Sequence, residues 1–424
     1  MQSMLNRGKM RQMSVPLKRH RGLCVKQHKP LDLEGFMNKC GKRFNVRLCL
    51  LAGLLLVAVM CTACGKKKDK TDSSVTPTES LPTTQAVTPT MTNTPTPTEE
   101  PTPTFTPTPT PDPHAGMVRS SLTNEWITEE VKNARPIAVM MNNLLPGTPQ
   151  SGINRAGVVY ECKVEGNITR LLAIIEDWSN MPKIGSVRSA RTQYIFWQME
   201  WDSIYLHFGC SFVTQPMLNR SDVYNLDGML YEGSVYYRST DRVAPHNAYA
   251  STDGVLKGVE FKKYSLEHSD RFVTEHFQFA PDDNPTILLN GMDARIVRPG
   301  YEENTPWFEY NDSEGIYYRY QYGKEHIDNV DNKQITCTNI ILQITNSGYE
   351  SESPDLKTYN TIDKNMPGYF ITGGKAVPIT WTKESESAPT RYYYENGTEI
   401  RLNTGKTWIC VVRSQDVKTI KIEP

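Results

Sequence analysis

Residues 75–113, "VTPTESLPTTQAVTPTMTNTPTPTEEPTPTFTPTPTPDP", are built almost wholly from threonine and proline. Repeated proline fixes φ and removes amide donors, so this stretch can enter neither a helix nor a sheet. In polyproline II, at ~3.1 Å per residue, it becomes a semi-rigid spacer of roughly 120 Å. The same composition suits O-glycosylation. A folded body must therefore come from the residues that follow, and the residues before it need another purpose.

Those earlier residues read as an export signal. "RFNVRLCLLAGLLLVAVMCTACGKKK" places Arg43 and Arg47 ahead of an apolar run of 13 residues, Leu48–Met60. That is short of the ~20 residues a membrane span needs and suits a signal h-region. Thr62-Ala63-Cys64 resembles a bacterial lipobox, with Cys61 where leucine is usual. In that reading Cys64 is lipidated on sulfur, with palmitate or a similar chain, and opens the mature protein. An uncleaved anchor is the alternative. The signal is expected over 37–63, from Met37 and its compact basic "MNKCGKRFNVR". Residues 1–36 are expected to be a gene-start artefact or an extended n-region, and 64–116 a Lys-rich start and the stalk. The expected place is the outer face of the cell membrane, with the membrane as partner through Cys64.

Charge agrees with export. The formal net charge of the 424 residues is zero, yet residues 1–47 carry +10 and the remainder −10. A basic leader before an acidic body is the polarity of an exported chain. An acidic body also argues against nucleic acid as the main ligand, since duplex binding rests on phosphate neutralisation. Cys162, Cys210, Cys337 and Cys410 are widely spaced, with no CxxC. This excludes a disulfide-dense scaffold or zinc ribbon. Buried free thiols are expected, and one or two bridges are the alternative.

After Arg135 the pattern becomes that of a folded protein. "PIAVMMN" (136–142) predicts a buried strand, 158–166 and 169–177 a hairpin, 203–209 a strand and 253–261 a helix. Between them, a helix is expected from Ser186 or Ser189 to about Glu200, because Val187, Ala190, Tyr194, Trp197 and Trp201 recur at helical spacing. "APDDNP" (280–285) breaks the chain, and alternating aromatics with Gly turns follow, including "TILLNG" (286–291) as a strand. The fold class is α+β: a mixed layered N-terminal domain, 117–280, and a mainly antiparallel β C-terminal domain, 281–424.

These residues carry a resemblance. "RPIAVMMNN…PQSGINRAGVVYECKVEGNITRLLAII…IGSVRSAR…YLHFGCS…APHNAYAS", followed by "NIILQI…GYFITGGKAVPITWTKES…PTRYYYENGTEIRLNTGKTWI", resembles the YerB-like bacterial lipoproteins. The resemblance spans about 135–412 and implies an α+β layered fold and a membrane-anchored lipoprotein. It implies no activity, cofactor or catalytic residue.

No GxSxG, HExxH, Walker A or EF-hand loop occurs, and no metal or cofactor is expected. "GYFITGGK" lacks the flanking residues of a phosphate loop and reads as a hairpin turn. In "KIGSVRSARTQYIFWQ" (183–198), Arg188 and Arg191 would share one helix face. Both would lie near the helix start, where amides and dipole favour an anion. Arginine there calls for a bound anion or a carboxylate. Glu161 and Glu165, at i and i+4 on one side of their strand, are the candidate carboxylates. An internal ion-pair network is the alternative to a ligand site. A second cluster, Arg238, Asp241, Arg242, His246 and Asn247, occupies a polar loop, and His207 ends the strand "YLHFG". Together they suit a phosphate or acidic sugar, with histidine as acid or base; for His207, plain packing is the alternative. Trp307, Trp381 and Trp408 either form an aromatic binding face or fill the core. Two functions follow. One is a non-catalytic lipoprotein binding an envelope ligand or a cell-wall or protein partner. The other is an envelope hydrolase or phosphate- or acidic-sugar-directed enzyme, favoured if Arg188, Arg191, His207 and His246 share one cavity.

Overall fold

The structure, a computed structural model, describes residues 112–351 and 353–424. The 1–36 segment, the expected signal, Cys64 and nearly all of the Thr/Pro stretch lie outside the described residues.

Strands β1 (Ile137–Asn142), β2 (Val158–Lys163) and β3 (Thr169–Ile175) are buried along their whole length. Such near-continuous apolar runs belong to strands covered on both faces. β2 and β3 form the expected antiparallel hairpin, and β3 pairs antiparallel with β1. Helix α1 (Thr192–Glu200), β4 (Ile204–His207) and β5 (Asn225–Asp227) follow. The polar loop then proves to contain two short strands, β6 (Tyr236–Arg238) and β7 (Ala248–Ala250), before helix α2 (Thr252–Lys262).

The C-terminal part is mainly β: β8 (Ile296–Arg298), β9 (Trp307–Asn311), β10 (Ile316–Gln321), β11 (Asn339–Thr345), β12 (Asp363–Thr372), β13 (Lys375–Lys383), β14 (Arg391–Tyr394), β15 (Thr407–Arg413) and β16 (Lys421–Glu423). The chain is α+β, as its pattern predicts. Gly373 and Gly374, with φ of 58° and 73°, make the two-residue turn between β12 and β13.

The path of β15 sets the architecture. It lies between β11 and β2 and runs parallel to both. One sheet therefore runs from β13 through β12, β11, β15, β2, β3, β1 and β4 to β5. Strands from both sides of residue 280 share its backbone hydrogen bonds. Parallel strands need cover on both faces. On one face Tyr194, Ile195 and Trp197 of α1 pack with Ala138, Tyr160, Leu172 and Ile409. On the other, Val255 and Val259 of α2 join Val139 and Leu171, while Val297, Phe308 and Tyr317 of a second sheet meet Leu342 and Trp408. Trp381 and Trp408 are thus core residues; Trp307 is half-buried, stacked 4.9 Å from Tyr320. All four body cysteines are free thiols, and Cys162, Cys337 and Cys410 are buried.

Two local expectations fail. "TILLNG" is not a strand: the side chain of Asn403 donates to the Thr286 carbonyl and accepts from its amide, so the segment has no ladder. The helix begins at Thr192, not at Ser186 or Ser189. The amides of residues 187, 188 and 190 are claimed from outside, by the carbonyls of Ala248, Met140 and Gly209. A segment bonded to its neighbours this way stays extended. Arg191 is the N-cap residue, with φ −135° and ψ 150°.

Candidate functional site

The extended segment through Arg188 passes the end of β1, and this determines which charges meet. Arg188 and Arg191 do not share a helix face. Arg191 turns to Glu165, its Nε and Nη2 donating at 2.9 and 2.7 Å to the two carboxylate oxygens. Arg170, buried on β3, donates to the same carboxylate at 2.5 Å. Burial raises the Glu165 pKa, but Arg170 and Arg191 outweigh it and leave the carboxyl below its usual range. This part is the ion-pair network weighed above, and Glu165 is its only carboxylate among the described residues.

Arg188 stays outside that network. Its Nη1 donates to the Pro245 carbonyl at 3.0 Å, and no carboxylate pairs with it among the described residues. Burial pulls the guanidinium below its ordinary range; Glu165 opposes this, while Arg191 and Arg238 add to it. Arg188 is thus a half-buried cation near Glu165, Arg191 and Arg238, with no carboxylate bonded to it. The 238–247 loop supplies the rest. Arg242 spends two donors on the carbonyls of Gly147 and Pro149, at 2.6 and 2.7 Å, and also lacks a carboxylate. The Asn142 amide meets His246 Nδ1 at 2.8 Å, which leaves the proton on Nε2. Burial, then Arg188 and Arg242, hold this imidazole below the usual histidine range. Arg238 is partly neutralised by Glu232 at 2.8 Å and donates to Asn247 at 3.2 Å. Asn247 in turn holds the Ser239 carbonyl, a loop-fixing role. Asp241 pairs with Lys183 at 2.9 Å. Arg188, Arg242 and His246 are thus donors that pair with no carboxylate among the described residues, while the nearby Glu232 and Asp241 are committed to Arg238 and Lys183.

Two expected members are elsewhere. His207 is fully buried, with Nδ1 2.9 Å from the Gly209 carbonyl and Nε2 3.1 Å from Asn225 Oδ1. Both ring nitrogens are engaged, so His207 does not reach the surface. Glu161 and Glu165 do not share a side. Glu161 lies with Val159 and Lys163 on one face of β2, whereas the chain turns after Lys163 and delivers Glu165 to Arg170 on the α1 face. Glu161 is wholly buried and accepts from Arg319 Nη2 at 2.8 Å, Asn304 at 2.9 Å, Asn143 at 3.1 Å and Trp408 at 3.2 Å. Arg319 also reaches His326 Nδ1, and His326 Nε2 meets Gln150 Oε1 at 2.6 Å.

Sequence reading missed Asn142, Arg170 and Arg319. An arginine opening the apolar run "TRLLAII" was a signal for the second, and the asparagine pair closing "AVMMNN" for the first. Arg319 stands among tyrosines of a hairpin, with nothing local to mark its partner. Among the described residues no cluster of three His, Cys, Asp or Glu could hold a metal ion, and no helix is long and apolar enough to cross a membrane.

The buried histidines make a pH prediction. His326 and His276 are held well below 6.5, His326 by burial and Arg319, His276 by burial with Lys383 and Arg391. Unfolded histidine titrates near 6.5. Below that pH the unfolded chain binds protons that the folded chain does not, so stability is full above ~6.5 and falls with acidification. Each histidine should remove ~1.4 kcal/mol per pH unit once well below its unfolded pKa. Urea midpoints between pH 8 and pH 5 measure this, and His326→Asn should flatten the slope.

Known proteins share this fold. The model of the N-terminal domain of a protein family of unknown function (DUF3048) matches residues 122–265, and that of its C-terminal domain residues 297–409. A Bacillus subtilis (strain 168) protein named "Putative lipoprotein YerB" is 27% identical, over 72% of this chain and 89% of its own length. The chain belongs to the YerB-like family. The crystal structure of YerB protein from Bacillus subtilis aligns with a TM-score of 0.62 and 26% identity, over 72% of this chain and 100% of that one. The whole of that crystallised chain thus aligns within part of this one. The surface from Asn142 to Asn247 falls within the N-terminal match, and Arg319 within the C-terminal one.

Proposed function

We propose that this chain is a lipoprotein of the cell envelope, anchored in the outer face of the membrane through Cys64, whose body binds an anionic ligand of the phosphate or carboxylate class. The anchor is supported by the Thr-Ala-Cys64 ending of the apolar run and by the relative named as a lipoprotein. Cys64→Ala should abolish incorporation of labelled fatty acid; normal labelling of that variant would contradict the anchor.

The observation that carries the ligand reading is Arg188, half-buried beside Arg191, Arg238 and His246 without a carboxylate of its own. Binding is favoured over hydrolysis by the state of the nearby nucleophile and base. Burial, then Asp227, push the Cys210 thiol up, so it stays protonated. His246 has Nδ1 occupied by Asn142 and no nucleophile bonded to it among the described residues. An activated nucleophile needs a base in hydrogen-bond reach.

Calorimetric titration with inorganic phosphate tests the site. A charge-assisted hydrogen bond contributes about 1.5–3 kcal/mol, so Arg188→Ala should weaken binding about tenfold to a hundredfold. Its melting temperature should stay nearly unchanged, because only the bond to the Pro245 carbonyl is lost. Equal affinity in parent and variant would refute the site.

A further inference from the structure

We infer that the Arg188 surface docks on an anionic lipid bilayer, the phosphates of its headgroups being the anions that the arginines meet. This rests on the anion-binding reading above and adds what carries the anion.

The observation is the apolar rim. Met229 and Leu230, on the helical turn Gly228–Tyr231, are 68% and 76% exposed, and Phe212 is 57% exposed. Val243, between Arg242 and His246, is 81% exposed. The turn is fixed to the cationic cluster: Glu232, which ends it, bonds Arg238, and the Arg238 guanidinium lies 4.3 Å over the Phe208 ring. Asp227 caps the turn through the Met229 amide and also binds the Gly209 amide. In the 238–247 loop, the Val243 carbonyl accepts from the His246 amide. Met229, Leu230 and Val243 thus face water on segments bonded directly to residues of the cationic cluster.

A small soluble anion would need the guanidinium groups alone. A bilayer uses both sets, with apolar tips entering the headgroup and acyl boundary while arginines meet phosphates. Each such cation contributes about fivefold in partition. Charge complementarity therefore selects an anionic membrane over a neutral one.

The test uses the folded body, residues 112–424, sedimented with phosphatidylglycerol vesicles, phosphatidylcholine vesicles or neither, alongside phosphate titration. Partition should favour phosphatidylglycerol by about tenfold or more and weaken as salt rises. Met229→Ser with Leu230→Ser should reduce that partition about tenfold while phosphate affinity stays at the parent value. Arg188→Ala should reduce both. Phosphate binding without phosphatidylglycerol-dependent partition would overturn the bilayer inference and leave the anion site standing. Absence of both would overturn both readings, and partition indifferent to the double variant would overturn the bilayer inference.

Discussion

Glu161→Ala should cost about 3–5 kcal/mol of stability, the loss expected when one partner of a buried ion pair is removed. Glu161 and Arg319 are both shut off from water, and their oxygens and nitrogens meet at 2.8 Å. The alanine variant leaves a guanidinium with no counter-charge, beside a neutral His326 and under the Trp408 ring. In the same step Asn143, Asn304 and Thr169 each lose an acceptor, and the Trp408 indole loses the one it has here. Since whole domains hold only about 5–15 kcal/mol, this is a large fraction of the total. Denaturant unfolding of parent and variant measures it. A loss below about 1 kcal/mol would match an exposed pair and contradict the burial.

A chain ending at residue 280 should fail to fold, and so should its complement. β2 takes its parallel neighbour from β15, so the cut leaves an unpaired strand at the middle of the sheet. The same cut separates Glu161 from Arg319, Glu200 from Lys383 and Lys163 from Asp416. Of these, Glu200 and Lys383 are also fully buried, and Thr390 bonds the same carboxylate. Each fragment would expose apolar area and carry uncompensated charge. Melting of either fragment as a cooperative unit would contradict the shared core; recovery of native spectra on mixing the two would support it.

What the sequence shows and what it hides divide along physical lines. The strands 137–142, 158–163 and 169–175 are legible because runs such as Ile137–Met141, Val158–Tyr160 and Leu171–Ile175 are apolar on both faces, as strands covered on both sides require, even though Glu161, Lys163 and Arg170 interrupt them. The Gly373-Gly374 turn is legible because positive φ at two successive positions selects glycine. Residues 184–191 mislead for an equally physical reason. Their spacing suits a helix, but their amides are satisfied by Met140, Ala248 and Gly209, which lie far away in sequence. The pairing of β15 with β2, across more than 240 residues, leaves no local trace. In the candidate site, Arg188, Arg242 and His246 were legible as unusual charges, Arg188 at an expected helix start and the other two in a polar loop. An ion pair for Glu165 and plain packing for His207 were among the readings the sequence left open. That Glu161 turns away from Glu165 to meet Arg319 was not legible, because it depends on which face of the strand a side chain takes and what covers it.

The most direct measurement is the arginine Nε–H NMR spectrum of the folded body during phosphate titration. The Arg188 resonance should shift in a saturable way, with a midpoint matching the calorimetric affinity, while Arg170 and Arg191, held by Glu165, stay in place. His246 should follow Arg188, since, with burial, Arg188 is close enough to hold the imidazole below its usual range and the Nε2–H would meet the same anion. An unmoved Arg188, with the shifts at Arg170 and Arg191 instead, would contradict the account.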